Sequence, residues 1–108
     1  MGAGESTMAS PAIKQSVDQL IKANKVMIFS KSYCPYCTMA KKVFKEMGQE
    51  YGLIELDETQ DGSSMQQYLA QITGASSVPR VFVSGNCIGG GTETRSLYQS
   101  GQLKSMLA

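Results

Sequence analysis

The chain has neither histidine nor tryptophan among its 108 residues. Without histidine, Ser-His-Asp and Cys-His catalysis and His-ligated metal sites are excluded. Without tryptophan, no indole can stand beside an active site. An excess of either charge is also missing: ten Lys+Arg against nine Asp+Glu leave a net +1, so electrostatics does not point to a nucleic-acid backbone or an anionic membrane as the partner. No stretch approaches the roughly 18 apolar residues a membrane-spanning helix needs, and the N-terminus lacks the apolar core of a secretory signal. Neither nucleic acid nor membrane is therefore expected among the partners. Three cysteines are an odd number in a chain large enough to fold without staples, which argues against a secreted disulfide framework. What is present, 42% hydrophobic and 18% charged residues with 11 Gly and 3 Pro, is the composition of an ordinary globular domain with one core.

The first ten residues, Met1 to Ser10, are small and polar without periodicity and read as a flexible tail ahead of one domain over 11–108. Met1-Gly2-Ala3-Gly4-Glu5-Ser6 fits the short pattern for N-myristoylation, although no polybasic patch follows to strengthen an anchor. Beyond it, Ser10 caps a helix over about 11–24, with Pro11 at its first position and Ile13, Val17, Leu20 and Ile21 on one face. Lys25–Phe29 is an apolar run suited to a central strand. A second helix starts at the cysteines and carries Met39, Val43, Phe44 and Met47, with Gly48 as its C-terminal cap. Tyr51–Leu56 reads as a strand, Asp57–Ser63 as a polar connection, and Met65, Tyr68, Leu69 and Ile72, closed by Gly74, as a third helix. Arg80–Ser84 and Cys87-Ile88 flank a Gly85-Asn86 turn, and Thr92 caps a last helical stretch interrupted by Gly101. Right-handed crossovers then predict an α/β fold, a mixed four-stranded sheet with helices on both faces.

Cys34-Pro35-Tyr36-Cys37 follows a predicted strand and opens a predicted helix, the context in which C-x-x-C in a reducing compartment reads as a redox pair. A sulfur at a helix N-terminus faces unpaired N–H groups and the positive end of the macrodipole, and Lys31 adds a cation three residues earlier. Both favour the ionised, attacking form of Cys34. Cys37 lies one turn further in, so it is expected to be more buried and to resolve. Half a zinc site is the competing reading, but zinc wants four N or S ligands and only Cys87 is left over; no metal site is expected in the chain itself. Cys87, on the short fourth strand, reads first as a small buried hydrophobe, with a regulatory thiol as the alternative. Pro79 cannot donate in a central ladder and belongs at a strand entry.

Taken together, Ser30 to Cys37, the Val78-Pro79-Arg80-Val81-Phe82 segment and Gly89-Gly90-Gly91-Thr92-Glu93 resemble the glutaredoxin family over about residues 11–107. Cys-Pro-Tyr-Cys is similar to its dithiol motif, and Thr38 to Lys42 with Ile72-Thr73-Gly74 is similar to the vertebrate glutaredoxin 2 type, which usually has Ser where this chain has Pro35. The resemblance implies a thioredoxin-like fold, glutathione-dependent reduction of mixed disulfides through Cys34, and a cis Val78-Pro79 bond. It further implies glutathione binding by Lys31, Cys34, Tyr36, Gln66, Val78, Pro79, Gly90, Thr92 and Glu93: Lys31 and Gln66 on the glycine carboxylate, the backbone at Val78-Pro79 on the cysteinyl part, and the N–H groups of Thr92 and Glu93 on the glutamyl carboxylate. The family usually has Asp where Glu93 stands and Thr where Ser77 stands. The alternative it implies is a dimer holding a [2Fe-2S] cluster on Cys34 of each copy and two glutathiones, against which Pro35 argues by removing an N–H. The expected partners are glutathione and glutathionylated or disulfide-bearing client proteins, for a monomer that is cytoplasmic, with mitochondrial as the alternative.

Overall fold

In the computed structural model, which describes residues 9–108, the chain enters α1 (Pro11–Ala23) through Ser10, whose hydroxyl accepts the Ile13 N–H at 3.3 Å. This is the expected N-cap, with Pro11 using the position where a missing N–H costs nothing. Ala9 is already buried. The rest of the predicted tail, including the myristoylation pattern, lies outside the described residues. β1 (Val26–Ser30) is buried at every residue, because its alternating side chains feed two cores.

Met27 and Phe29 face one core with Val17 and Ile21 of α1, Phe82, and Met65 and Leu69 of α3 (Gly62–Thr73). Val26 and Ile28 face the other, with Ala40, Val43 and Phe44 of α2 (Pro35–Met47) and Leu103 of α5 (Gln102–Leu107). Burying one such Phe or Ile contributes roughly 1.5–3 kcal/mol over leaving it in water. The sheet order is β2-β1-β3-β4. β2 (Gly52–Glu55) lies parallel to β1, while β3 (Arg80–Val83) pairs antiparallel with β1 and with β4 (Asn86–Gly89). The mixed four-stranded sheet covered on both faces is the predicted one.

Several local expectations are corrected. The hairpin turns on Ser84-Gly85 (φ 50° and 86°) and not on Gly85-Asn86, leaving Asn86 paired with Val83; two positive φ values suit a two-residue turn that matches strand twist. The supposed polar connection contains a 3-10 turn over Leu56–Glu58. Gly101, at φ 84°, splits the last stretch into α4 (Gly91–Gln99) and α5. Ile72 is 45% exposed, because the helix has turned past the sheet by then and Leu69 is the last α3 residue over the core. Cys87 is also exposed and not buried. Its neighbour Ile88 takes the covered face of the edge strand, and alternation turns Cys87 to the uncovered one.

Candidate active site

The segment between β1 and α2 carries the first half of the site. Cys34 is the N-cap of α2, followed by Pro35 at the first helical position. Its partly exposed Sγ accepts the Cys37 backbone N–H at 3.3 Å and lies 3.7 Å from the Val78 carbonyl. The helix-start donor expected for the attacking sulfur is therefore present. Among the described residues the Lys31 ammonium is not a hydrogen-bond partner of that sulfur. Lys31 instead uses its backbone N–H, which donates to Cys37 Sγ at 3.4 Å, and its side chain acts on Asp57.

Cys37 is fully buried. Burial first, then the neighbouring Cys34 thiol, pushes its thiol up from 9.0 to about 11, because a thiolate loses solvation there. A raised value means that Cys37 keeps its proton throughout the neutral range. The folded state holds that proton more tightly than the unfolded chain, so this contribution to stability is present below about 9 and lost as pH rises toward about 11. Brief treatment of the reduced protein with iodoacetamide at pH 7 is accordingly expected to modify Cys34 and Cys87 and to spare Cys37, read by peptide mass spectrometry. Equal labelling of Cys37 would contradict its protection.

The second half comes from the loop before β3 and the start of α4. The Val78-Pro79 bond is cis, as the resemblance implied. Gln66 on α3 donates its side-chain amide to the Ser76 carbonyl at 2.7 Å, and Arg80 donates to the Pro79 carbonyl at 3.0 Å and to Ser77 Oγ at 3.4 Å. Helix and strand thus both pin the loop facing Cys34. The helix expected to be capped by Thr92 is capped instead at Gly90: the Glu93 carboxylate accepts the Gly90 N–H at 2.8 Å and the buried Thr94 hydroxyl donates to the Gly90 carbonyl at 2.8 Å, drawing the helix start two residues earlier. The Gly90 N–H, and next Glu93's own N–H, hold the Glu93 carboxyl below its ordinary value.

Glycine is required at this junction for space. A Cβ on Gly91 would stand 2.5 Å from the Tyr36 carbonyl oxygen, while one on Gly90 would make only an ordinary contact, at 3.4 Å, with the Pro79 carbonyl oxygen. α4 therefore begins against both the first turn of α2 and the proline loop. Cys34 thus meets Val78; the α4 start at Gly90 and Gly91, from which Thr92 and Glu93 follow, abuts Pro79 and Tyr36, and Gln66 joins the loop through Ser76. Tyr36 and Tyr33 are 55% and 71% exposed, and both offer apolar surface beside Cys34.

Sequence reading missed three groups. Asp57 accepts the Ser32 N–H at 2.9 Å and also the Ser32 hydroxyl, bracing the segment before Cys34; the hydroxyl first, then the N–H, lower its carboxyl from the ordinary value. Arg80 braces the proline loop. Lys41 and Glu55 form an ion pair at 2.8 Å between α2 and the end of β2. Only the position of Asp57 at a strand end signalled any of these. No group of three or more His, Cys, Asp or Glu side chains placed to hold a metal ion occurs among the described residues, and no helix there is long and apolar enough to cross a membrane.

Comparison with known proteins agrees with this geometry. The family model described as Glutaredoxin matches residues 26–88. Glutaredoxin-C4 of Arabidopsis thaliana is 45% identical over 102 residues, 94% of this chain and 76% of the relative. Mitochondrial Glutaredoxin-2 of Bos taurus is 43% identical over 107 residues, 94% of this chain and 68% of the relative. The crystal structure of the buckwheat glutaredoxin–glutathione complex superposes with a TM-score of 0.86 at 41% identity, covering 89% of this chain and 87% of that one. A dithiol at a helix start, facing a cis-proline loop on a thioredoxin-like sheet, together with these likenesses, makes the chain a member of the glutaredoxin family of glutathione-dependent thiol oxidoreductases.

Proposed function

We propose that the protein reduces protein–glutathione mixed disulfides and protein disulfides, with Cys34 as nucleophile and Cys37 as resolving thiol. The observation that carries this reading is the asymmetry of the pair. Cys34 is accessible and receives a helix N–H, while Cys37 is buried and protonated. A thiolate attacks a disulfide sulfur and expels the better leaving thiolate. In the first step the Cys34 sulfur bonds the glutathione sulfur of the mixed disulfide, and the client thiol departs reduced. A second glutathione thiolate then attacks the glutathionyl sulfur on Cys34, giving glutathione disulfide and regenerating Cys34. One glutathione thiol is oxidised for each client sulfur reduced, the other half of the glutathione disulfide coming from the mixed disulfide itself, so electrons balance. With a protein disulfide, Cys37 displaces the client from Cys34 and leaves a Cys34-Cys37 disulfide, which two glutathiones reduce.

The roles assigned to glutathione-binding residues follow the same reading. The backbone at Val78-Pro79 takes the cysteinyl part, and the N–H groups of Thr92 and Glu93 the glutamyl carboxylate. Two findings support the latter: the first α4 hydrogen bond runs from Thr94 N to Gly90 O, leaving the earlier N–H groups without helical partners, and the related buckwheat protein is described in complex with glutathione. Tyr36 lines the groove, and Lys31 with Gln66 receives the glycine carboxylate. A monomeric, cytoplasmic protein goes with this reading, mitochondrial being the alternative location. The [2Fe-2S] dimer through Cys34 stays the second reading, weakened by the helical position Pro35 holds without an N–H.

The test is a coupled assay with glutathione and a glutathionylated protein, scoring glutathione disulfide. Turnover proportional to enzyme is expected, and none above the uncatalysed rate would refute the proposal. Purification without oxygen in the presence of glutathione tests the other reading. A colourless monomer is expected, and a coloured dimer would favour the cluster.

A further inference from the structure

Lys41 Nζ meets Glu55 Oε2 at 2.8 Å with only 17% and 16% of the two side chains exposed. Taking two charges out of water costs more than their attraction returns unless the remaining polar atoms are also satisfied. Here they are not: Glu55 Oε1 is buried without a hydrogen-bond partner, a condition that is rare in native structures and asks for a reason. The location supplies one. Lys41 lies four residues after Cys37 on α2, the spacing that stacks side chains on one helix face about 5–6 Å apart at Cβ, and against the cost of its burial the pair with Glu55 first, then Cys37, favour the charged ammonium. The groups that set the resting Cys37 thiol are Cys34, the Lys31 N–H and the Ser30 hydroxyl. None of these is a cation, and the Lys31 side chain acts on Asp57.

We infer that the Lys41–Glu55 pair is a positioning device for the dithiol route: Glu55 holds Lys41 so that its charge offsets the negative charge growing on Cys37 Sγ during attack on a Cys34 mixed disulfide. The inference rests on the resolving role proposed above for Cys37. In that step the Cys37–Cys34 S–S bond forms and the bond from Cys34 to the departing sulfur breaks. The two cysteines are oxidised by two electrons and the departing sulfur is reduced. The Cys37 proton ends on the released thiol. Attack by Cys34 alone makes no use of the pair.

The experiment separates closing of the Cys34-Cys37 disulfide from single-thiol chemistry, on the full chain with Cys87→Ser so that only the active-site pair reacts. An aromatic disulfide, dithiobis(nitrobenzoate), first loads thionitrobenzoate onto Cys34 with release of one coloured thiolate, and closing by Cys37 expels a second, followed by stopped flow as the later phase. In Lys41→Met/Glu55→Gln, where no carboxylate is stranded, closing is expected to slow about tenfold or more, while removal of glutathione from a mixed-disulfide protein stays within about twofold of the parent. Lys41→Arg, which keeps the charge, is expected to close within about threefold of the parent. Unchanged closing in the double variant, equal slowing of both reactions, or failure of Lys41→Arg to restore closing would each overturn the inference. The closing step needs no glutathione, so failure of the glutathione assay in the parent would count against the proposed function and not against this one.

Discussion

Cys34→Ser is expected to abolish removal of glutathione from mixed disulfides, lowering kcat/KM by at least about 10³-fold, since a hydroxyl neither ionises at neutral pH nor forms the mixed disulfide on which both routes depend. Cys37→Ser is expected to keep much of that activity while losing disulfide closure. The reason for the asymmetry is structural. The hydrogen bond that Cys34 Sγ receives from residue 37 comes from the backbone N–H, so exchanging the Cys37 side chain leaves that donor in place. The two variants assayed side by side with one glutathionylated protein decide the matter. Equal loss in both would remove the assignment of nucleophile and resolving thiol.

Gly91→Ala is expected to have the next largest effect. In an open helix the change would stabilise by up to about 1 kcal/mol, since alanine is the better helix former. Here the new Cβ would lie 2.5 Å from the Tyr36 carbonyl oxygen and 3.1 Å from its carbonyl carbon. Backbone cannot rotate away as a side chain can, so α4 and the first turn of α2 must move apart. Overpacking of this kind costs about 1–3 kcal/mol, and for a domain of this size each kcal/mol lowers Tm by roughly 4–8 °C. The displacement separates Cys34 from the Thr92 and Glu93 N–H groups, and KM for glutathione is expected to rise about tenfold. Thermal unfolding and steady-state kinetics on the same preparation check both. A Tm at or above that of the parent with unchanged KM would show that the junction does not require glycine.

Much of the fold was legible because its signals are local. The Ser10-Pro11 start, the apolar run of β1 and the Gly48 and Gly74 helix ends are each written in a few adjacent residues. The Cys34-to-Cys37 motif was legible for the same reason, since helix position sets which sulfur meets the helix donors. Failures arose where the answer depended on what covers a residue. Cys87 and Ile72 belong to apolar patterns, yet the edge of the sheet and the end of α3 leave both uncovered. The turn slipped to Ser84-Gly85 because strand pairing, and not turn composition, set the register.

By itself the sequence determined a redox dithiol at a helix start, on a mixed α/β sheet, in a chain with no histidine to activate it. Periodicity, caps and C-x-x-C spacing act over a turn or two of chain. The tertiary structure alone decided that Asp57 braces Ser32 from 25 positions away, that Glu55 holds Lys41 from 14 positions away, and that α4 begins at Gly90 against Pro79 and Tyr36. Those contacts join segments brought together only when β1, β2 and β3 pair and the helices close over them. Their energies depend on burial and approach distance, which no local pattern carries.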